Sequence, residues 1–99
     1  MKIEYKHKKT KDESYGILDG FLSELQKQYK ESVESYSKKW NYSKDVMDFN
    51  VSAKGFNISG NMHLYDNLVV IQGELPFLVM LYQNQLESMI KQKLKDILK

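Results

Sequence analysis

The sequence predicts an α+β fold, an antiparallel meander of four to five strands carrying two helices on one face, in the order β-α-β-β-β-β-α. Three observations predict it. Between residues 56 and 64, Phe56, Ile58, Met62 and Leu64 alternate with Asn57, Ser59, Asn61 and His63, the period of a half-buried strand. A bend at Asp66-Asn67 then pairs Leu64 with Val69, Met62 with Ile71, Gly60 with Gly73 and Ile58 with Leu75, leaving Asn61 with Gln72 and Ser59 with Glu74 on the other face. On either side of the strand-forming middle, apolar residues recur at spacings of three and four, the signature of an amphipathic helix.

Ile3, Tyr5 and His7 alternate with Lys2, Glu4, Lys6 and Lys8, which predicts a short edge strand protected by lysine. His7 is read as a half-exposed strand residue, because no second His or carboxylate sits at metal-binding spacing. Thr10-Lys11-Asp12-Glu13 forms a capping box and predicts a helix from about Lys11 to about Lys30. Tyr15, Leu18, Leu22, Leu25 and Tyr29 mark its apolar stripe, widened by Ile17 and Phe21. Gly16 and Gly20 interrupt it, each at about 1 kcal/mol against Ala. They are either points of close backbone approach or solvent-side residues.

Residues 31–34 admit both a helix extension and a strand; Tyr36 and Trp40 favour a strand. A turn at Tyr42-Ser43-Lys44-Asp45 sets Trp40 opposite Met47, and Met47, Phe49 and Val51 then share one face. A four-residue connection, Ser52-Ala53-Lys54-Gly55, pairs Val51 with Phe56 and Phe49 with Ile58. Leu75-Pro76-Phe77 ends the last strand and opens a helix to Leu98, since a proline at a helix start loses no hydrogen bond. Its stripe runs through Leu78, Leu81, Tyr82, Leu86, Met89, Ile90, Leu94, Ile97 and Leu98, with Gln83, Glu87, Lys91 and Lys95 opposite and Glu87–Lys91 as an i,i+4 ion pair. Because Gly60 faces Gly73, the core side of the sheet has a low spot there for a large side chain or for the first helix.

Composition bounds the function. Ninety-nine residues, 41% of them hydrophobic, suit one ordered domain. The absence of cysteine excludes disulfides, thiolate metal sites and cysteine nucleophiles. No stretch approaches the ~20 apolar residues of a membrane span, and no apolar run marks a signal peptide, so a cytoplasmic protein without a transmembrane segment is expected. Residues 1–11 carry five Lys against one Glu and residues 91–99 four Lys against one Asp, leaving an acidic body between basic ends. All fifteen basic residues are Lys, which disfavours sequence-specific nucleic-acid readout, a task of bidentate Arg.

No nucleophile triad, phosphate loop or metal motif is present, so no cofactor and no catalytic activity are expected. His63, on the polar sheet face with Asp48 and Glu74, is the one residue placed for acid–base work; its plainer reading is a solvated strand residue. Asn61, His63 and Gln72 on that face, and Lys91 and Lys95 on the last helix, are the candidate surface contacts. The last helix also has the make-up of a membrane-surface helix, but a core needing cover explains the same stripe.

The succession of Ile3 and His7, the helix with Leu18, Leu22 and Leu25, and Trp40 before Phe49 carries a resemblance along nearly the whole chain. Its sharpest part is Gly55-Phe56-Asn57-Ile58-Ser59-Gly60, then Leu75-Pro76-Phe77 leading into Leu86-Glu87, Ile90 and Leu94. The chain resembles the polyhydroxyalkanoic acid system protein family, small bacterial proteins associated with polyester storage granules. It differs from typical members in being rich in Lys and Asn rather than Ala and Arg. The resemblance implies an accessory or regulatory role at granule surfaces or on their proteins, and brings no active-site residues. The alternative from the residues themselves is a self-associating module, such as a homodimer, or a small-ligand-binding one, using the polar sheet face or an edge strand.

Overall fold

The computed structural model describes residues 1–99. Its elements are β1 (Lys2–Lys6), α1 (Lys11–Leu18), α2 (Phe21–Gln28), β2 (Val33–Trp40), β3 (Val46–Ala53), β4 (Phe56–Tyr65), β5 (Leu68–Glu74), α3 (Phe77–Met80) and α4 (Gln83–Ile97). The strands form one antiparallel sheet in the order β1-β5-β4-β3-β2, so β2 to β5 are the expected meander and β1 returns to pair with β5. All helices belong to one layer. The core between the layers holds Ile3, Leu18, Phe21, Leu22, Met47, Met62, Leu64, Val69, Ile71, Ile90, Leu94 and Leu98.

The β4–β5 register is the one the alternation predicts, with Leu64 opposite Val69, Met62 opposite Ile71 and Gly60 opposite Gly73. The ladder stops at Ser59–Glu74, so the expected Ile58–Leu75 pair does not form. Leu75 already leads out of the sheet toward Pro76, which has no N–H to continue the ladder. At the hairpin tip Asn67 takes a positive φ of 64°. Asp66 instead turns its carboxylate to the start of α1, where Oδ1 accepts the Lys11 N–H at 2.8 Å.

The β3–β4 connection is shorter than expected. Ala53 pairs with Phe56, Val51 with Ile58 and Phe49 with Gly60, leaving only Lys54-Gly55 in the loop. Both loop residues have positive φ, 50° and 82°, the backbone whose twist matches a two-residue hairpin. The shift is two residues, so parity is kept and the same side chains face the core. In the β2–β3 turn, the Asn41 Oδ1 accepts the N–H groups of Asp45 and Val46, and Trp40 faces Met47 as predicted.

Both expected long helices are broken. The first divides at Asp19-Gly20, after a capping box in which Thr10 accepts the Glu13 N–H at 3.2 Å and Glu13 accepts the Thr10 N–H at 3.1 Å. The break has a partner set. Asp19 Oδ1 accepts from Lys38 Nζ and from Trp40 Nε1, each at 2.8 Å, and Lys38 also donates to the Asp19 carbonyl oxygen. Gly16 and Gly20 do not lie against the sheet: a Cβ on Gly16 would meet nothing within 4 Å. Met1, not α1, occupies the low spot at Gly73, its Cε lying 3.1 Å from where a Cβ would stand. At Gly60 the space is taken by the backbone of β5 itself.

The last helix divides at Leu81-Tyr82 into the short α3 and the long α4. Ile90, Leu94 and Leu98 of the predicted stripe are buried, whereas Leu78, Leu81 and Tyr82 are exposed. The expected Glu87–Lys91 pair is also absent, because Glu87 Oε1 accepts from Gln83 Nε2 at 3.3 Å. Within the helical layer, Lys93 of α4 instead lies 4.0 Å from Glu24 of α2 and links the two helices.

Candidate functional site

Strand pairing builds the polar face row by row. Lys2, Gln72, Asn61, Asp48 and Lys39 lie side by side across all five strands, and Glu74, Ser59 and Asn50 form the next row. An open depression on this face is lined by Asp48, Ser59, Asn61, Gln72 and Glu74 and extends past Gly60 and Gly73 to Gln83 and Glu87 of α4. Asn61 Oδ1 is buried in it without a hydrogen-bond partner. His63 is not part of that depression. It sits between Val46 and Val70 and stacks on Tyr65, the ring centroids 6.4 Å apart. Neither Asp48 nor Glu74 orients its imidazole, so His63 lacks the carboxylate partner that would make it a positioned base.

Lys91 and Lys95 stand exposed on α4, without ion-pair partners, in the helical layer. The structure therefore groups Asn61 with Gln72, sets His63 one row away, and places the two lysines in the other layer.

Three ionisable groups are shifted by their surroundings. Hydrogen bonds from Lys38 and Trp40 hold the Asp19 carboxyl below its usual range, and hydrogen bonds with Thr10 do the same for Glu13. Burial, reinforced by nearby Lys9, lowers the His7 pKa, and His7 Nδ1 accepts the Lys9 N–H at 3.0 Å. His7 and Glu13 lie in the β1–α1 connection and the first turn of α1, and Asp19 at the α1–α2 break against β2, so all three hold turns and helix ends rather than the polar face. No group of three or more His, Asp or Glu is gathered as for a metal ion.

Two features escape the sequence reading. The first is a cavity of about 200 Å³ between the sheet, α2 and α4. The helices diverge over the sheet, α2 packing on β2 and α4 on β1, so Phe49, Val51 and Ile58 of the central strands stay only half-buried. Every lining residue but Ser32 is hydrophobic. From the cavity term seen in core truncations, a void on this scale costs on the order of a few kcal/mol, a sizeable part of a total of roughly 5–15 kcal/mol.

The second feature is the apolar patch on and after α3. Phe77 is 77% exposed, Leu78 55%, Met80 53%, Leu81 69% and Tyr82 61%. Eight consecutive residues, Leu75 to Tyr82, are apolar or aromatic apart from the proline among them. A helix lying on a sheet buries one stripe, so a run apolar on all sides must leave part of itself in water. That run was the available signal, and the 3-4 spacing beyond it masked it. The patch borders a groove lined by Phe56, Ile58, Leu78, Leu81, Leu86 and Met89.

No helix is long and apolar enough to cross a membrane. No curated protein and no solved structure matches the chain. A family model described as Putative polyhydroxyalkanoic acid system protein matches residues 1–98. With that match running through the capping box, both Gly-flanked hairpin strands and the α3–α4 segment, the chain belongs to the polyhydroxyalkanoic acid system protein family.

Proposed function

We propose that the protein is a non-catalytic, cytoplasmic accessory of polyester storage that seats its α3 patch on the surface of the polymer granule. The carrying observation is the exposure of Phe77, Leu78, Met80, Leu81 and Tyr82 within six residues. Monomeric proteins rarely leave so much contiguous apolar side chain in water without an interaction to use it. A single continuous helix could not both cover the core with its stripe and offer that stripe as apolar surface. The division at Leu81-Tyr82 lets α4 do the first and α3 the second. Family membership supports polyester as the apolar surface met.

Sedimentation with amorphous polyhydroxyalkanoate particles tests the reading. Burying each of Leu78 and Leu81 is worth up to roughly 1.5–3 kcal/mol, so Leu78→Ser with Leu81→Ser should weaken binding by at least about tenfold while the fold survives. Lys91→Glu with Lys95→Glu should change it little. Binding that follows the lysines and ignores the leucines would refute the proposal.

A second reading, self-association or small-ligand binding through the polar sheet face, is favoured by the unpartnered Asn61 Oδ1. Light scattering on the wild type and on Asn61→Leu separates it: a monomer indifferent to the change ends it.

A further inference from the structure

We infer that the cavity between the sheet, α2 and α4 is a binding site for the alkyl chain of a medium-length fatty acid, entered beneath α3 with the carboxylate left at Lys54. This goes beyond the granule contact and does not depend on it. The cavity, about 200 Å³, exceeds the roughly 150 Å³ engineered void that stays dry and takes up benzene. Its single polar lining residue, Ser32, gives a water too few partners, so the space suits an apolar occupant.

The wall chemistry selects a flexible chain. Met1, Met47, Met62 and Met89 line the cavity, four of the five methionines in the protein. Unbranched thioether side chains adapt their shape, which suits a linear chain of variable conformation better than a rigid ring that needs fixed walls. The connection to the surface selects an amphiphile. Ala53, Ile58, Leu86 and Met89 line both the inner cavity and the outer groove under α3, so the apolar path is continuous. Where it opens, Ser32 and Gln85 can hydrogen-bond a head group, and Lys54 is the one charged residue. Lys54 sits in the β3–β4 turn and adds a positive charge at the mouth, which favours a carboxylate over a neutral head.

The test is titration of the purified, full-length protein with decanoate and decan-1-ol below their aggregation concentrations, read by calorimetry and thermal shift. Both should bind and raise Tm. Val51→Phe, which fills the cavity from β3, should raise Tm without ligand and weaken both ligands by at least about tenfold. Leu86→Phe, filling it from α4, guards against a misfolded first variant and should act alike. Lys54→Asn removes the charge with a residue that accepts the positive φ, and should weaken decanoate roughly two- to fivefold while leaving decan-1-ol unchanged. Phe77→Ser with Met80→Ser, two exposed patch residues that line neither the cavity nor the groove, should keep decanoate binding while weakening particle binding, which separates this inference from the granule contact. Absence of binding by both ligands, or binding unchanged in both cavity-filling variants, would overturn the inference. Equal loss of both ligands in Lys54→Asn would overturn the placement of the carboxylate.

Discussion

Three glycine-to-alanine substitutions should have three different outcomes, and the structure sets their order. A Cβ on Gly60 would fall well inside van der Waals contact of the Gln72 carbonyl oxygen and 2.8 Å from the Gly73 Cα. Both obstacles are backbone of the paired strand β5, which cannot yield without opening the β4–β5 ladder. Gly60→Ala should therefore cost about 3 kcal/mol, at the upper end of overpacking, and lower Tm by roughly 12 °C or more. At Gly73 the nearest obstacle is the Met1 Cε at 3.1 Å, the far end of a flexible side chain, so Gly73→Ala should cost under about 1 kcal/mol. At Gly16 nothing lies within 4 Å, and the residue is inside α1. Gly16→Ala should stabilise by about 0.5–1 kcal/mol, the difference in helix propensity. Urea unfolding followed by circular dichroism measures all three. A Gly60→Ala protein as stable as wild type would refute the close crossing of β4 and β5, and with it the account of why that residue is glycine.

Other expectations rest on the core and on the ionisable groups. Leu94 is fully buried under the helical layer, so Leu94→Ala should cost roughly 2–5 kcal/mol, a fall of at least about 10 °C in a melt. His7 has its pKa lowered in the folded state, so the unfolded chain binds more protons just below pH 6.5 and stability falls as pH drops through that region. His7→Gln should flatten the decline in urea midpoint between about pH 7 and 5. Asp19 has a lowered pKa through Lys38 and Trp40, so its contribution is present above the unfolded value near 3.8 and lost as pH falls through the folded one. Asp19→Ala should cost about 1 kcal/mol at neutral pH, given its half-exposed side chain, with that difference vanishing in acid.

Alternation made the sheet legible. Met62 and Ile71 are buried and Asn61 and Gln72 face outward because a strand shows its two faces in strict turn, and the pairing of two such patterns admits one parity. The same logic left the β3–β4 register open by two residues, since parity alone does not count loop length. Lys54 carries no mark of the positive φ that closes the short turn. Within the candidate sites, the neighbourhood of Asn61 and Gln72 followed from register, whereas the separation of His63 from any carboxylate partner needed coordinates.

Local period alone told which residues the strands and the helices α1, α2 and α4 turn away from water, but it misplaced Leu78, Leu81 and Tyr82, which the stripe counted as covered and the fold leaves exposed. It could not determine where the helices stop. Asp19 breaks the first one because Lys38 and Trp40, about twenty residues further on, take its carboxylate and carbonyl oxygens, and spacing cannot report a partner that only folding delivers. Nor could it show that α2 and α4 part over the middle strands, leaving an apolar hollow beneath an exposed α3. Coverage of a sheet depends on how two helices divide its width, and that is settled by packing between layers rather than by the pattern within either.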